Sequence, residues 1–343
     1  MNVPIAMRPR AIAGAWEQFG AQEMPLAKYF PALPNPAPGP HVTYDVYQFP
    51  KEAPRPNTRE GEAIYVEPPI VATVDYRAPT WRDGARIEAS TIRDMREPGE
   101  AIQNRGRAEL ARRLRQLRMR YDRFLETLRA AALNGHWVYW PRGADQPAIE
   151  GLWLSDNYRL ANNATAAWNA NFPGPTQEQA RSNLAAISDD FARAIELLAA
   201  AGCMADTALM SPATHDILKQ NAIASGIRAL ETVFADGLNE LFGLNIEVVR
   251  GTYTHPVTGA TTSYIPDNQV TFLDSDNTRS GRVMRECTVV NLEAPEGAYG
   301  VYFESTIEGK PPHYGEIVGE WTGAPECSVA GAMVCMTDVT AGP

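Results

Sequence analysis

The longest regular pattern in the chain is an apolar stripe, Leu110, Leu114, Leu117, Tyr121, Phe124 and Leu128, recurring at steps of four and three. That spacing keeps one face of an α-helix apolar. No proline interrupts the segment, and Asn134-Gly135 supplies a stop. The pattern predicts a helix over 101–133, roughly 50 Å long and far above the ordinary length of about 11–12 residues. It is a spine.

A second stripe, Leu184, Ile187, Phe191, Ile195 and Leu198, predicts a helix over 176–201, opened by Pro175-Thr176. Period-two alternation appears after Pro68-Pro69, where Ile70, Ala72, Val74 and Tyr76 alternate with Val71, Thr73, Asp75 and Arg77. Asp83-Gly84 has the signature of a turn. Segment 63–92 is therefore expected to be a long, largely exposed β-hairpin or loop. Strands are expected at 136–140 and 149–154 around Pro141-Arg142-Gly143, then at 207–210 and 246–249. Short helices are expected at 212–221 and 229–241. Segment 252–264 reads as a hairpin turning near Pro256, with a strand following through 270–273. From 283 the chain reads as mainly β, with strands at 289–292, 298–304 and 329–336.

Nine prolines fall between Pro25 and Pro56, which rules out a helix and predicts an extended arm. The arm also carries Tyr29, Phe30, Val42, Tyr44, Val46, Tyr47 and Phe49, more anchor material than a plain linker holds. Such a segment lies across a surface, its own or a neighbour's.

Composition narrows the classes. The 343 residues carry a net charge of -10, which argues against wholesale wrapping by nucleic acid. No run of eighteen apolar residues is present, so no membrane span is expected. The opening residues, broken by Pro4 and Pro9, lack an apolar signal core, so secretion is not expected. Against the acidic background the spine is basic. Arg105, Arg107, Arg112, Arg113, Arg115, Arg118, Arg120, Arg123 and Arg129 face only Glu109, Asp122 and Glu126 between residues 101 and 135. Two readings stay open: a solvated face bridged to nearby acids, or a surface for a polyanion or an acidic partner.

Motifs of chemistry are missing. The sequence has no phosphate loop, dinucleotide fingerprint or nucleophile elbow, and its five histidines are scattered without an i, i+4 pair. Cys203, Cys287, Cys327 and Cys335 show no two-residue spacing and read as small buried apolar residues. Asp274-Ser275-Asp276-Asn277 starts like a calcium loop but lacks the glycine and closing glutamate, so a polar turn is expected. No catalytic, metal or cofactor site is expected, and the chain reads as a non-enzyme.

The order of parts (Pro-rich arm, long hairpin, oversized helix, mixed lobe, returning strands) resembles the Hong Kong 97 (HK97) fold of tailed-bacteriophage shells, an α+β class. Local sequence is similar to the major capsid protein E family, typified by the lambda head protein. Lys28-Tyr29-Phe30 with Val42-Thr43-Tyr44-Asp45-Val46 resembles the family's opening, and Val66-Glu67-Pro68-Pro69-Ile70 its step into the extended loop. Pro98-Gly99-Glu100 and Ala131-Ala132-Leu133-Asn134-Gly135 resemble the entry to and exit from its spine. Met210-Ser211-Pro212-Ala213-Thr214, Gly251-Thr252-Tyr253 and Tyr264-Ile265-Pro266-Asp267-Asn268 resemble its later landmarks. The resemblance spans about residues 26–336.

The resemblance implies an N-terminal arm over 1–55 and an extended loop over 56–96 that reaches a neighbouring subunit. It implies a peripheral domain over 97–175 with the spine at 101–134, an axial domain over 176–280, and a return to the peripheral domain over 281–343. It implies a major capsid protein that assembles with itself, as hexamers and pentamers, into an icosahedral shell around double-stranded DNA. Portal and scaffolding proteins are implied as partners, a decoration protein as an optional one, and the virion, built in the bacterial cytoplasm, as the location. No membrane partner and no cofactor are implied. A separate scaffold is expected, because only about 50 residues precede the loop region. With only Lys51 near the loop's base, lysine–asparagine cross-linking is not expected. Interface residues are expected at Tyr29, Phe30, Tyr44, Tyr47, Phe49, Tyr76 and Trp81, types that dominate interfaces. Arg105, Arg107, Arg112, Arg113, Arg115, Arg118, Arg120 and Arg123 are expected to face DNA or an adjacent subunit. The rivals are an encapsulin-type compartment shell and a DNA-binding protein using the arginine-rich helix.

Overall fold

The structure is a computed structural model. It describes residues 4–19, 24–33, 37, 39, 41–48, 70–97, 99–134, 159–170, 174–227, 240–254, 259–290, 300–307 and 314–340.

Helix α1 (Pro9–Gln18) begins the regular structure, with its proline at the first helical position, where a missing N–H costs nothing. Strand β1 (His41–Tyr47) pairs antiparallel with β2 (Ile70–Arg77), from His41 opposite Arg77 to Tyr47 opposite Ile70. Val42, Tyr44 and Val46 turn inward, while Thr43–Asp75 (2.9 Å) and Thr73–Asp45 (2.7 Å) hydrogen bonds lace the polar face. The hairpin is thus formed by the arm and β2, which corrects the expected hairpin within 63–92. Strand β3 (Thr80–Glu88) runs straight through Asp83-Gly84, because nine consecutive residues pair with a later strand. The expected turn there is not formed.

Helix α2 (Ala89–Arg96) leads into α3 (Glu100–Asn134), the 35-residue spine. Gly106 lets the two cross closely: a Cβ there would lie 2.7 Å from the Met95 side chain. After β4 (Arg159–Asn163) comes α4 (Gln177–Ala200), opened by a capping box in which Thr176 and Gln179 satisfy each other's backbone N–H. Strand β5 (Thr207–Met210) is followed by α5 (Pro212–Ala224), capped by Ser211. Strands β6 (Glu240–Leu241) and β7 (Leu244–Val248) join through Phe242-Gly243, both at positive φ, as a tight two-residue hairpin demands. Strands β8 (Thr252–Thr254) and β9 (Thr261–Ser263) form the next hairpin. Then follow β10 (Val270–Leu273), the short helix α6 (Ser275–Arg279), β11 (Met284–Thr288), β12 (Tyr302–Ile307), β13 (Tyr314–Cys327) and β14 (Met333–Thr337).

Two sheets organise these strands. The first has six strands in the order β4-β14-β10-β5-β7-β6, and every residue of β5 and β10 is buried. The second centres on β13, which pairs with β3, β12 and β11. Strands β4 and β14, which the expected division groups with the peripheral part, lie in the same sheet as β5 and β10.

Several expectations change. Strand β13 falls in the region read as mainly β but between the strands expected there, and β11 lies just before the strand expected at 289–292. Glu240 and Leu241 are strand rather than helix, and the rest of the helix expected over 229–241 lies outside the described residues. The strands expected at 136–140 and 149–154 also lie outside them. Asp274 caps α6 instead of sitting in a polar turn; its carboxylate accepts from the Asn277 and Met204 backbones at 3.0 and 2.9 Å.

Candidate functional site

The spine organises the candidate surfaces. Its inner face, Leu110, Leu114, Leu117, Tyr121, Leu125 and Leu128, is buried. Tyr121 packs edge-on against Trp81 (5.1 Å between centroids) and Trp321 (6.0 Å). Trp16 of α1 closes this group from the other side, 5.0 Å from Phe303 and 5.7 Å from Tyr121. Aromatic pairs at such distances add stability beyond the area they bury.

The outer line of the spine, Arg105, Ala108, Arg112, Arg115, Met119 and Arg123, is exposed at helical spacing. Its charge is largely answered within the chain. Arg105 donates through two nitrogens to Asp94 of α2 (2.9 and 2.6 Å). Arg112 and Arg113 share Glu109, whose carboxyl is held down at about 2 chiefly by the Arg112 hydrogen bond. Arg118 reaches Asp122 (3.0 Å) and lies over the Trp16 ring, and Arg120 reaches Asp83 of β3 (2.5 Å). Arg115 stacks 5.3 Å from the Phe19 ring. Among the described residues, no carboxylate pairs with exposed Arg107 or Arg123.

The aromatic anchors fall differently from expectation. Tyr29, Phe30, Tyr44 and Trp81 are buried within the subunit's own core, leaving them little area for a neighbour. The arm folds back on its own body: Leu33 and Ala37 donate to the Glu286 and Thr288 carbonyls, and Tyr47 donates to Ser328. Tyr47 stays half-buried, while Phe49 and the side chain of Tyr76 lie outside the described residues.

Below the spine's C-terminal half lies a charged cluster that sequence reading missed. Glu126, fully buried, accepts from the Leu26 backbone at 2.7 Å and from Arg129 at 3.3 Å; Arg129 also donates to Glu286 at 2.7 Å. Burial pushes the Glu126 carboxyl above its ordinary range, partly offset by the Leu26 N–H and Arg129. Only the spacing of Glu126 and Arg129 on one helix hinted at this pair; Glu286 is 157 residues away from Arg129.

Among the described residues, none of these groupings resembles a reaction centre. The four cysteines are buried thiols, and burial lifts Cys203 and Cys287 to about 12. An open cleft beside His215 also holds Asp216, Arg250 and Ser263, and burial pushes the imidazole below its ordinary value. Among the described residues no cluster of His, Cys, Asp or Glu could hold a metal ion, and no helix is long and apolar enough to cross a membrane.

Comparison with known proteins gives this architecture a class. The chain superposes on a phage-related protein from Bordetella bronchiseptica with a TM-score of 0.55, at 12% identity and covering 97% of both chains. Looser matches are the capsid of cyanophage P-SCSP1u (TM-score 0.47, 10% identity, covering 94% of this chain and 90% of that one) and a virus-like particle from Pyrococcus furiosus (0.46, 10%, 96% of each). No curated protein matches. The fold is HK97-like α+β, the architecture of phage capsid subunits. A family profile described as "Phage major capsid protein E" matches residues 21–308, and the chain belongs to that family. It is a capsid shell protein, a structural component of the virion, and its partner in the shell is further copies of itself. Nothing in the comparisons favours an encapsulin-type compartment.

Proposed function

We propose that this chain assembles as hexamers and pentamers into a closed icosahedral shell around phage double-stranded DNA, in the host cytoplasm, with portal and scaffolding proteins. A decoration protein is an optional further partner. The observation that carries this reading is the family match across residues 21–308. The shell role is structural and needs no catalysis or cofactor.

In this reading the paired strands β1 and β2 belong to the extended loop that reaches a neighbour. The six-stranded sheet with α4 and α5 forms the axial part, and the spine with the β13 sheet forms the peripheral part. Tyr47, Phe49 and Tyr76 remain candidates for contacts with the adjacent subunit. Arg107, Arg115 and Arg123 are the better candidates for a DNA-facing or neighbour-facing charge, because the other spine arginines already hold carboxylates. A free DNA-binding protein using this helix fits poorly, since its leucine face is packed in the subunit and cannot enter a groove.

The test is the content of shells recovered after co-expression with the neighbouring phage genes. Nuclease-protected double-stranded DNA inside closed shells is the expected result. Shells filled with a protein cargo and free of DNA would favour the compartment instead.

A further inference from the structure

Two exposed helix faces of this subunit carry opposite charge at the same spacing. The spine's outer line is basic, with Arg105, Arg112, Arg115 and Arg123 and, between them, Ala108 and Met119. Helix α4 presents Glu178, Ser182, Ala185, Asp189, Ala192 and Glu196, all exposed, at alternating steps of four and three. Its opposite face, with Leu184, Ile187, Phe191 and Leu198, is buried in the core. Among the described residues no ion pair holds Glu178, Asp189 or Glu196. The cations flanking them are turned aside: Arg181 donates to the Ser225 carbonyl and Arg193 to Asp190, both at 3.1 Å.

The spacings coincide when the two helices run antiparallel. Arg112 follows Arg105 by seven residues and Arg123 follows by eleven more; Asp189 precedes Glu196 by seven and Glu178 precedes by eleven more. In that register Arg105 meets Glu196, Arg112 meets Asp189 and Arg123 meets Glu178, over about 27 Å of helix. Met119 falls opposite Ser182, and Arg115, stacked on Phe19, falls opposite Ala186. Run parallel, the two ends still match, but Asp189 meets Gln116 instead of an arginine. Opposed helix dipoles favour the antiparallel choice as well. Steps of three and four keep both lines in contact at the shallow crossing angle of coiled coils. Within the subunit the spine packs on α1, α2, β3 and β13, and α4 packs on α5, β10 and β14, so neither line covers the other.

We propose that α4 of one copy lies antiparallel along the outer face of the spine of an adjacent copy, pairing Glu196, Asp189 and Glu178 with Arg105, Arg112 and Arg123. The inference deepens the shell reading and rests on it, since further copies of the chain are the partner that the family supplies. Arg105 and Arg112 are 74% and 56% exposed even while they hold Asp94 and Glu109. Each spends only its Nε and one Nη there, which leaves donors for a second carboxylate. Exposed ion pairs are individually weak, so this seam sets the register and orientation of the copies rather than holding them together.

The experiment counts closed shells or rings formed by the full-length chain, native and charge-reversed, expressed with the neighbouring phage genes. Arg112→Asp and Asp189→Arg alone should each reduce assembled particles about tenfold, because each sets like charges against one another. The chain carrying both should recover most of the native yield. Loss in both single variants without recovery in the double would overturn the register, and native yield in both would overturn the contact. Native yield with less packaged DNA in Arg112→Asp would assign the face to DNA and overturn the proposal too. A second readout does not depend on charge. In particles of a chain carrying Met119→Cys and Ser182→Cys, mild oxidation should link neighbouring copies into ladders that a reductant dissolves. Links formed by Met119→Cys with Ala192→Cys instead, the pair that a parallel register opposes, would overturn the antiparallel assignment, and no link in either chain would overturn the contact. A native chain that forms neither shells nor rings is a separate failure: it contradicts the shell reading and takes this contact with it.

Discussion

The two sheets of this subunit solve the burial problem in opposite ways. Strands β5 and β10 of the six-stranded sheet, Thr207–Met210 and Val270–Leu273, bury every residue, and their sequences are nearly unbroken apolar runs. Strand β13 alternates instead from Tyr314 to Thr322, before a buried end at Gly323–Cys327. Its inward residues include Ile317 and Trp321, while Glu316, Val318 and Glu320 face outward, opposite Arg86, Gly84 and Arg82 of β3. That outer face is polar and laced: Arg82 pairs with Glu320 at 3.5 Å, and the Arg86 guanidinium lies 4.7 Å from the Tyr314 ring. At β5 and β10 the first sheet is a core closed on both sides. The second concentrates its apolar content in rings beneath the spine and leaves the other face built as a surface.

The contrast can be broken most forcefully in the closed core. Phe272, fully buried and edge-on to Phe191 at 5.0 Å, has nothing to fill its place if truncated. Phe272→Ala should cost about 3–5 kcal/mol in chemical denaturation and lower the stability of the whole subunit. A loss below about 1 kcal/mol would mean the core collapses onto the gap. In the one-sided sheet, overpacking is the sharper probe. A Cβ at Gly319 would sit 2.9 Å from the Trp81 ring and 3.1 Å from Phe303. Gly319→Ala should therefore cost about 1–3 kcal/mol and shift tryptophan fluorescence, the signature of disturbed ring packing.

A pH series separates buried charge from buried rings. Glu326, buried on β13, pairs with Arg285 of β11 at 2.9 Å, yet burial outweighs the pair and raises its carboxyl above the ordinary 4.5. The folded state thus holds this proton more tightly than the unfolded chain, so its contribution falls as pH rises from 4.5 through the raised value. Relative to the native chain, Glu326→Gln should gain stability across that window in urea titrations; a relative loss would give the ion pair the larger role. The smallest effect belongs to the surface of the spine. Arg107→Ala should change stability by no more than about 0.5 kcal/mol, since the residue is exposed and holds no carboxylate among the described residues.

The elements that were legible from sequence are those whose period survives alone. The spine's leucine stripe, the α4 stripe and the apolar runs of β5 and β10 each point to one structure without help from a partner. Strand β13 was hidden because Gly315, Gly319, Gly323 and Pro325 depress its strand propensity. The glycines at 315 and 319 are there because Met7 and the Trp81 and Phe303 rings press onto the strand at those positions, a demand visible only in three dimensions. Helix α1 was hidden by Pro9, which reads as a break but begins the helix. Asp83-Gly84 signalled a turn, and pairing with β13 overrode it. The site readings divide along the same line. Arginine clustering on the spine was plain, but that Arg105, Arg118 and Arg120 answer Asp94, Asp122 and Asp83 depends on neighbours, two of which lie on other elements. The arm's aromatics read as anchors from sequence, which could not say whether the surface beneath them was the subunit's own.

The most direct test of the central claim is electron microscopy of the purified full-length protein, alone and with its neighbouring phage gene products. Closed shells, or rings of five and six subunits, are the predicted result. A monodisperse monomer or dimer under every condition would contradict the shell assignment.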